Sequence, residues 1–137
     1  MNNKILIVAS NYYREVCDNL VKGSTDCLKE SKIEYDIITA PGCFEIPYII
    51  KNNINKYRAF IALGCVIRGE TYHFEIISNE CGRKIIDISL DFNKPIGFGI
   101  LTCNTINQAL IRSDPLKKNK GKEAANACFE LLNSENK

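Results

Sequence analysis

Apolar residues along the chain occur in two patterns, short continuous runs and stripes with helical spacing. The runs have the length and composition of strands buried on both faces, and they predict strands at residues 4–9, 33–39, 59–65 and 96–101. The stripes predict helices at residues 14–31, 45–55, 77–92, 106–110 and 124–131. Strand and helix thus alternate four times before a further helix closes the chain. This order predicts a four-stranded parallel sheet between two layers of helices, a single α/β domain of doubly wound type over residues 1–137.

Glycine and proline refine this assignment at three points. Gly23 lies on the apolar stripe of the first helix. Because glycine lowers helix stability, its presence there indicates close packing against another element. Pro41 and Gly42 end the second strand, and Pro47 marks the start of the next helix, where its fixed backbone angle fits the first turn.

The overall composition excludes several classes of protein. Of 137 residues, 45% are hydrophobic, and the formal net charge is +2, so global disorder is not expected. A dedicated nucleic-acid binder carries a stronger basic bias, so no nucleic-acid partner is predicted. No apolar run approaches the roughly 18 residues that span a bilayer, and no membrane association is predicted. The N-terminal residues lead directly into a strand pattern instead of a signal peptide, which favours a cytoplasmic protein.

The cysteines and glycines argue against metal and nucleotide cofactors. Seven widely separated cysteines, an odd number with no C-x-x-C motif, indicate reduced thiols instead of a disulfide framework or a zinc site. Gly97 and Gly99 lie inside a predicted strand and open no helix, so they do not form a dinucleotide fingerprint. We therefore expect no metal and no cofactor.

Candidate chemistry is concentrated after the strands, because ligands of open parallel sheets bind beyond the carboxyl ends of the strands. Polar, aromatic and glycine residues follow the four strands at residues 10–13, 41–45, 68–73 and 102–104. The third segment holds the only histidine of the chain, His73. Histidine is suited to proton transfer because its unperturbed pKa lies near neutrality. The alternative is a surface histidine at a helix start.

Further candidates flank this histidine in the predicted fold, and each has a structural alternative. Backbone N–H groups of Gly69, Glu70 and Thr71 at a helix N-terminus would bind an anion, unless Thr71 simply caps the helix. Tyr12 could stack on a flat heterocycle or pack against the protein. Glu45 could accept hydrogen bonds from hydroxyl groups or complement a helix dipole. Arg112 and the lysines could bind phosphate or form a solvated loop; the lysines are 117, 118, 120 and 122.

Taken together, these segments resemble the lumazine synthase family from Ile5 to Leu132. The resemblance is carried by five motifs in the same order, at residues 41–47 (PGCFEIP), 63–75 (LGCVIRGETYHFE), 98–102 (FGILT), 108–112 (QALIR) and 119–121 (NKG). It implies a flavodoxin-like sheet and a condensation. In that reaction, the amine of 5-amino-6-(D-ribitylamino)uracil attacks the ketone of 3,4-dihydroxy-2-butanone 4-phosphate. Loss of phosphate and ring closure then give 6,7-dimethyl-8-ribityllumazine, in the penultimate step of riboflavin biosynthesis.

The resemblance also implies residue roles. His73 would transfer protons, and Glu70 and Thr71 would hold the phosphate through their backbone amides. Tyr12 would stack on the pyrimidine of the ribitylaminouracil. The ribityl chain would be held by Cys43, Phe44 and Glu45. The uracil edge would be recognised by Cys65, Val66 and Ile67. A neighbouring subunit would contribute two residues. Its Phe98 would pack against the heterocycle, and its Arg112 would bind the phosphate. Lys120 matches a further site position of the family.

The family pattern further implies an oligomer, and the chain departs from that pattern at several positions. The expected assembly is a homopentamer, with an icosahedral assembly of pentamers and association with riboflavin synthase as further family features. Cys43 and Cys65 replace small or hydroxylated residues, and Asn104 replaces an acid. Residues 113–115 (SDP) replace a small, glycine-containing turn after Arg112, and this change would shift the loop that carries Lys120. The short segment before the first strand favours a single pentamer over the icosahedral assembly of pentamers.

Two other functions fit the same fold class less well. A non-catalytic flavin- or lumazine-binding carrier would not need an anion site beside a proton donor, so His73 and Arg112 together favour catalysis. A signalling receiver domain would need an acidic cluster for Mg²⁺ at a strand end, and no predicted strand ends in one.

Overall fold

The computed structural model describes residues 3–69 and 73–136. Its elements follow the order expected from the sequence: β1 (Ile5–Ser10), α1 (Arg14–Glu30), β2 (Tyr35–Ala40), a 3-10 turn (Cys43–Glu45), α2 (Ile46–Asn52), β3 (Ala59–Ile67), α3 (His73–Phe92), β4 (Ile96–Cys103), α4 (Ile106–Ser113) and α5 (Lys120–Ser134). The α/β class with alternating strands and helices is thereby confirmed.

The sheet has four parallel strands in the order β2-β1-β3-β4. Ile7 of β1 lies opposite Ile37 of β2 on one side and Ile61 of β3 on the other. From β1 the chain proceeds outward to β2, and then returns across β1 to β3. This reversal between β1 and β3 opens a crevice at their carboxyl ends, which is where doubly wound sheets bind ligands.

Two apolar layers cover the two faces of the sheet. One contains buried residues of α1, α4 and α5, such as Leu20, Ala109 and Cys128. The other contains buried residues of α2 and α3, such as Ile50 and Ile85. Helices therefore lie on both faces, which is the arrangement that the continuous apolar strands predict.

Glycines allow α5 to approach both the sheet and α1. A Cβ at Gly97 of β4 would overlap the carbonyl oxygen of Ala124, and one at Gly121 would overlap that of Leu20. Gly23 of α1 faces the side chain of Asn119 at the start of α5, with no room for a Cβ. The prediction that Gly23 marks close packing is confirmed.

Element boundaries differ from the sequence-based expectation at several places. The second strand begins at Tyr35, two residues late, because Ile33 donates its N–H to the carbonyl of Leu28 and so belongs to the helix end. Lys32 adopts a left-handed backbone (φ 57°) in that turn. The third strand extends to Ile67, and the third helix, expected from Ile77, already includes His73.

All seven cysteines are buried thiols outside any disulfide, as expected from their spacing. Among the described residues, no helix is long and apolar enough to cross a membrane.

Candidate active site

A cavity of about 320 Å³ opens at the carboxyl ends of β1, β2 and β3. It collects residues that are far apart in the chain because the parallel strands end at the same edge of the sheet. Its lining residues are Tyr12, Tyr13, Pro41, Gly42, Cys43, Phe44, Glu45, Cys65, Val66, Ile67, His73 and Ile77. We call this cavity the strand-end cavity.

The floor of the strand-end cavity depends on a glycine of β3. A Cβ built at Gly64 would lie 2.6 Å from the sulfur of Cys43, so only glycine leaves room for this thiol over the strand. The Cys43 thiol is positioned to donate to the carbonyl of Cys65 (3.7 Å). Beneath it, the Cys81 thiol donates to the carbonyl of Cys43 (3.2 Å). These contacts fix the turn that precedes Phe44 and Glu45.

Burial keeps the cavity thiols protonated. It raises the pKa of Cys43 to about 11 and that of Cys65 to about 12. Because the thiolate is the nucleophilic form of cysteine, these two residues line the cavity as small, neutral groups and are not activated nucleophiles at neutral pH.

Two aromatic side chains at the mouth of the cavity are largely exposed. Tyr12 is 72% exposed and meets Tyr13 edge-to-face at 5.0 Å, and Phe44 is 55% exposed. The backbone N–H of Tyr12 points to the hydroxyl of Ser10 at 3.4 Å, which ties the start of this loop to the end of β1. Packing within the chain therefore leaves much of both rings available to another molecule.

His73 is the first described residue of α3 and contributes to the wall of the strand-end cavity. Nearby, Arg68 links the end of β3 to neighbouring elements. Its guanidinium donates to the Glu75 carboxylate (2.6 Å) and to Asn104 (3.0 Å), and it lies 4.6 Å from the ring centre of Phe74. Exposed ion pairs add little stability, so the main effect of these contacts is to orient the start of α3.

The proposed phosphate cradle is only partly described. Glu70 and Thr71 lie outside the described residues, so the expectation that their backbone amides bind an anion stays a prediction. Among the residues that the structure describes, none lies within 4 Å of a Cβ placed at Gly69, which precedes them.

A second cavity, of about 520 Å³, lies beside β4, between the end of α4 and the side of α5. It contains the three remaining candidates, Phe98, Arg112 and Lys120. Phe98 is 46% exposed. The neighbouring Gly97 and Gly99 face α5, so Phe98 points to the opposite side of the sheet, where its ring approaches Gly82 of α3. We call this cavity the β4 cavity.

The β4 cavity contains acids as well as cations. The ammonium group of Lys120 lies 3.0 Å from the carboxylate of Glu123, and Glu130 also contributes to the lining. The guanidinium of Arg112 lies 3.5 Å from the carbonyl of Gln108, a long hydrogen bond. An anion that binds Lys120 would have to displace the Glu123 carboxylate. Because this ion pair is exposed, breaking it requires little free energy.

The structure thus divides the predicted site residues into two groups. Eight of those described line the strand-end cavity, and Phe98, Arg112 and Lys120 line the β4 cavity. Tyr13 belongs to the candidate segment at residues 10–13 but had no predicted role, and Ile77 in the first cavity and Glu123 in the second were not predicted as site residues. The three-residue spacing of Lys120 and Glu123 on one helix was the available signal for that last pair.

Comparison with known proteins gives a consistent result. Residues 2–136 match the sequence model of the 6,7-dimethyl-8-ribityllumazine synthase family. The chain is 44% identical to a protein of that name from Zymomonas mobilis, covering 98% of this chain and 97% of the relative. A protein of the same name from Novosphingobium aromaticivorans is 46% identical, with 94% of each chain covered. Another, from Bartonella bacilliformis, is 44% identical, with 96% and 90% covered.

Proposed function

Because this chain belongs to the 6,7-dimethyl-8-ribityllumazine synthase family, we propose that it condenses 5-amino-6-(D-ribitylamino)uracil with 3,4-dihydroxy-2-butanone 4-phosphate. The products are 6,7-dimethyl-8-ribityllumazine and inorganic phosphate. The reaction forms an imine, eliminates phosphate and closes a ring. These steps need two oriented reactants, proton transfer and an anion site, and they involve no net change in oxidation state.

In this proposal the strand-end cavity binds the ribitylaminouracil. Tyr12 stacks on the pyrimidine, and the turn of Cys43, Phe44 and Glu45 holds the ribityl chain. The uracil edge is recognised by the group Cys65, Val66 and Ile67. The neutral thiols at the floor and the exposed rings at the mouth suit a flat, polar heterocycle with a hydroxylated chain.

His73 transfers protons in the proposed mechanism, and cationic and amide groups hold the phosphate. The backbone amides of Glu70 and Thr71 bind the phosphate beside His73. Arg112 and Lys120 of a neighbouring subunit complete the anion site, and Phe98 of that neighbour packs against the heterocycle. The separation of the two cavities in one chain supports this division, since each cavity has only part of the required groups.

The proposed assembly is a homopentamer, in which the strand-end cavity of one subunit faces the β4 cavity of the next. An icosahedral assembly of pentamers and association with riboflavin synthase stay predictions. We also assign the protein to the cytoplasm, because seven free thiols suit a reducing compartment. We assign the chain to one domain, because both apolar layers pack on the same sheet.

One observation carries the proposal: residues following β1, β2 and β3, namely Tyr12, Glu45 and His73, line a single cavity at the reversal point of the sheet. The test is to incubate the protein with both substrates and to record lumazine fluorescence and phosphate release, relative to the same mixture without protein. We expect both products to appear together, faster than in the control. Binding of the uracil substrate with no acceleration would instead identify a non-catalytic carrier.

A further inference from the structure

Helix α1 contacts both segments that carry the cations of the β4 cavity. The side-chain amide of Asn19 donates to the hydroxyl of Ser113 (3.3 Å), which is adjacent to Arg112. Five residues further along α1, the hydroxyl of Ser24 donates to the carbonyl of Gly121 (2.6 Å), which is adjacent to Lys120. Neither Asn19 nor Ser24 lines the β4 cavity.

The Asn19 contact lies at Ser113, the last residue of α4. This helix has eight residues, and its buried members are Ala109 and Ser113, both fully inaccessible to solvent. Ser113 accepts from Asn19 and donates to the carbonyl of Leu110 (3.2 Å). Arg112 is exposed, and the hydrogen bond that it makes among the described residues is the long contact to the carbonyl of Gln108. Its position therefore depends on the backbone that Ser113 anchors.

The Ser24 contact lies at Gly121, in the first turn of α5. Ser24 is fully buried, and Gly121 is pressed against the backbone of Leu20. Asn119 precedes α5 in a left-handed conformation (φ 46°), and its side chain accepts from the N–H of Lys122. Its side-chain oxygen also rests on Gly23 of α1. Lys120 is therefore held between two residues that α1 contacts directly.

We propose that Asn19 and Ser24 are positioning residues for the phosphate subsite, which fix Arg112 and Lys120 relative to each other through α1. This inference rests on the proposed function, in which these two cations bind the phosphate of the butanone substrate. Loss of either contact lets one cation move with respect to the other. Affinity for the phosphorylated substrate then falls, whereas the strand-end cavity and its affinity for ribitylaminouracil are unchanged.

The test compares Asn19→Ala and Ser24→Ala with Asn53→Ala. Asn53 is a matched control because its amide also makes a partly buried hydrogen bond, to the carbonyl of Ile49 (2.8 Å), at the end of α2. KM is measured separately for the two substrates, and binding of inorganic phosphate is measured by calorimetry. Each α1 variant should raise the KM for the butanone phosphate about fivefold and weaken phosphate binding similarly, with the KM for ribitylaminouracil unchanged. Asn53→Ala should change neither KM.

A double-mutant cycle tests whether Asn19 acts through Ser113. If it does, Asn19→Ala should have little further effect on phosphate affinity in a Ser113→Ala background. Equal changes in both KM values, or additive effects in the cycle, would overturn the inference.

Arg112→Ala separates this inference from the proposed function. If Arg112→Ala weakens phosphate binding but the α1 variants do not, the inference alone is wrong. If Arg112→Ala has no effect on phosphate binding, the assignment of the subsite is wrong and the inference fails with it.

Discussion

His73 and Arg112 line two different cavities of the same chain, His73 at the start of α3 and Arg112 near the end of α4. The candidate for proton transfer and the candidate phosphate cation are therefore assigned to separate binding surfaces. In the proposed function, a second chain supplies the group that each cavity lacks. A ring of heterologous contacts provides this arrangement at every subunit.

Replacing His73 with alanine should lower turnover and leave binding of a ribitylaminouracil analogue nearly unchanged. General acid–base groups contribute about 10²–10⁴-fold, and the lower end is expected here because orientation of two reactants supplies much of the rate. Steady-state kinetics and analogue titration measure the two effects. Wild-type turnover of His73→Ala across pH 5–9 would show that His73 has no such role.

The buried thiols should make the fold less stable in alkali. Burial raises the pKa of Cys81 to about 12 and that of Cys43 to about 11, from an ordinary value of 9.0. Above pH 9 the unfolded chain releases thiol protons that the folded chain keeps, so the free energy of unfolding should fall as pH rises from 9 towards 11–12. Below pH 9 these thiols contribute no pH dependence.

Urea unfolding at a series of pH values measures this effect, and Cys81→Ser is the matched variant. Serine keeps a donor for the Cys43 carbonyl but does not titrate in this range. The alkaline decrease of Cys81→Ser should be shallower than that of the wild-type protein. Identical slopes for the two proteins would contradict the account of Cys81.

Gly97→Ala should destabilise the fold by about 1–3 kcal/mol, because the added methyl group would overlap the backbone carbonyl of Ala124. Gly82→Ala is the control. A Cβ there meets Phe98 at an ordinary 3.8 Å. Alanine at this helical position should therefore stabilise the protein by about 0.5–1 kcal/mol. Chemical denaturation of both variants should show opposite signs, and a neutral Gly97→Ala would mean that α5 packs less closely than described.

The hydrophobic pattern predicted the element order because buried strands and amphipathic helices differ in period. It placed the second strand too early, since Ile33 continues the apolar run although its backbone closes the end of α1. The left-handed turn at Lys32 has no glycine or asparagine to indicate it. Local sequence therefore predicted the elements better than their ends.

The candidate site could be predicted in part for a similar reason. The rule for strand ends identifies Tyr12, Glu45 and His73 together, because parallel strands share one edge. It gives no information on how α1 contacts Ser113 and Gly121, because these pairs are about a hundred residues apart in sequence. Contacts between distant helices depend on packing that no local pattern encodes.

The most direct test of the central claim, an active site shared between subunits, is complementation between His73→Ala and Arg112→Ala. In a mixed ring, an intact site forms where a subunit with His73 faces a neighbour with Arg112. With random mixing this occurs at about a quarter of the interfaces, since each of the two positions has an even chance of holding the required subunit. The remaining interfaces carry one or both defects.

Differently tagged variants would be co-expressed, mixed rings purified through both tags, and their composition verified by native mass spectrometry before lumazine formation is measured. The account predicts activity of roughly a quarter of the wild-type value, well above that of either parent homo-oligomer. Verified mixed rings that are no more active than the parents would contradict it.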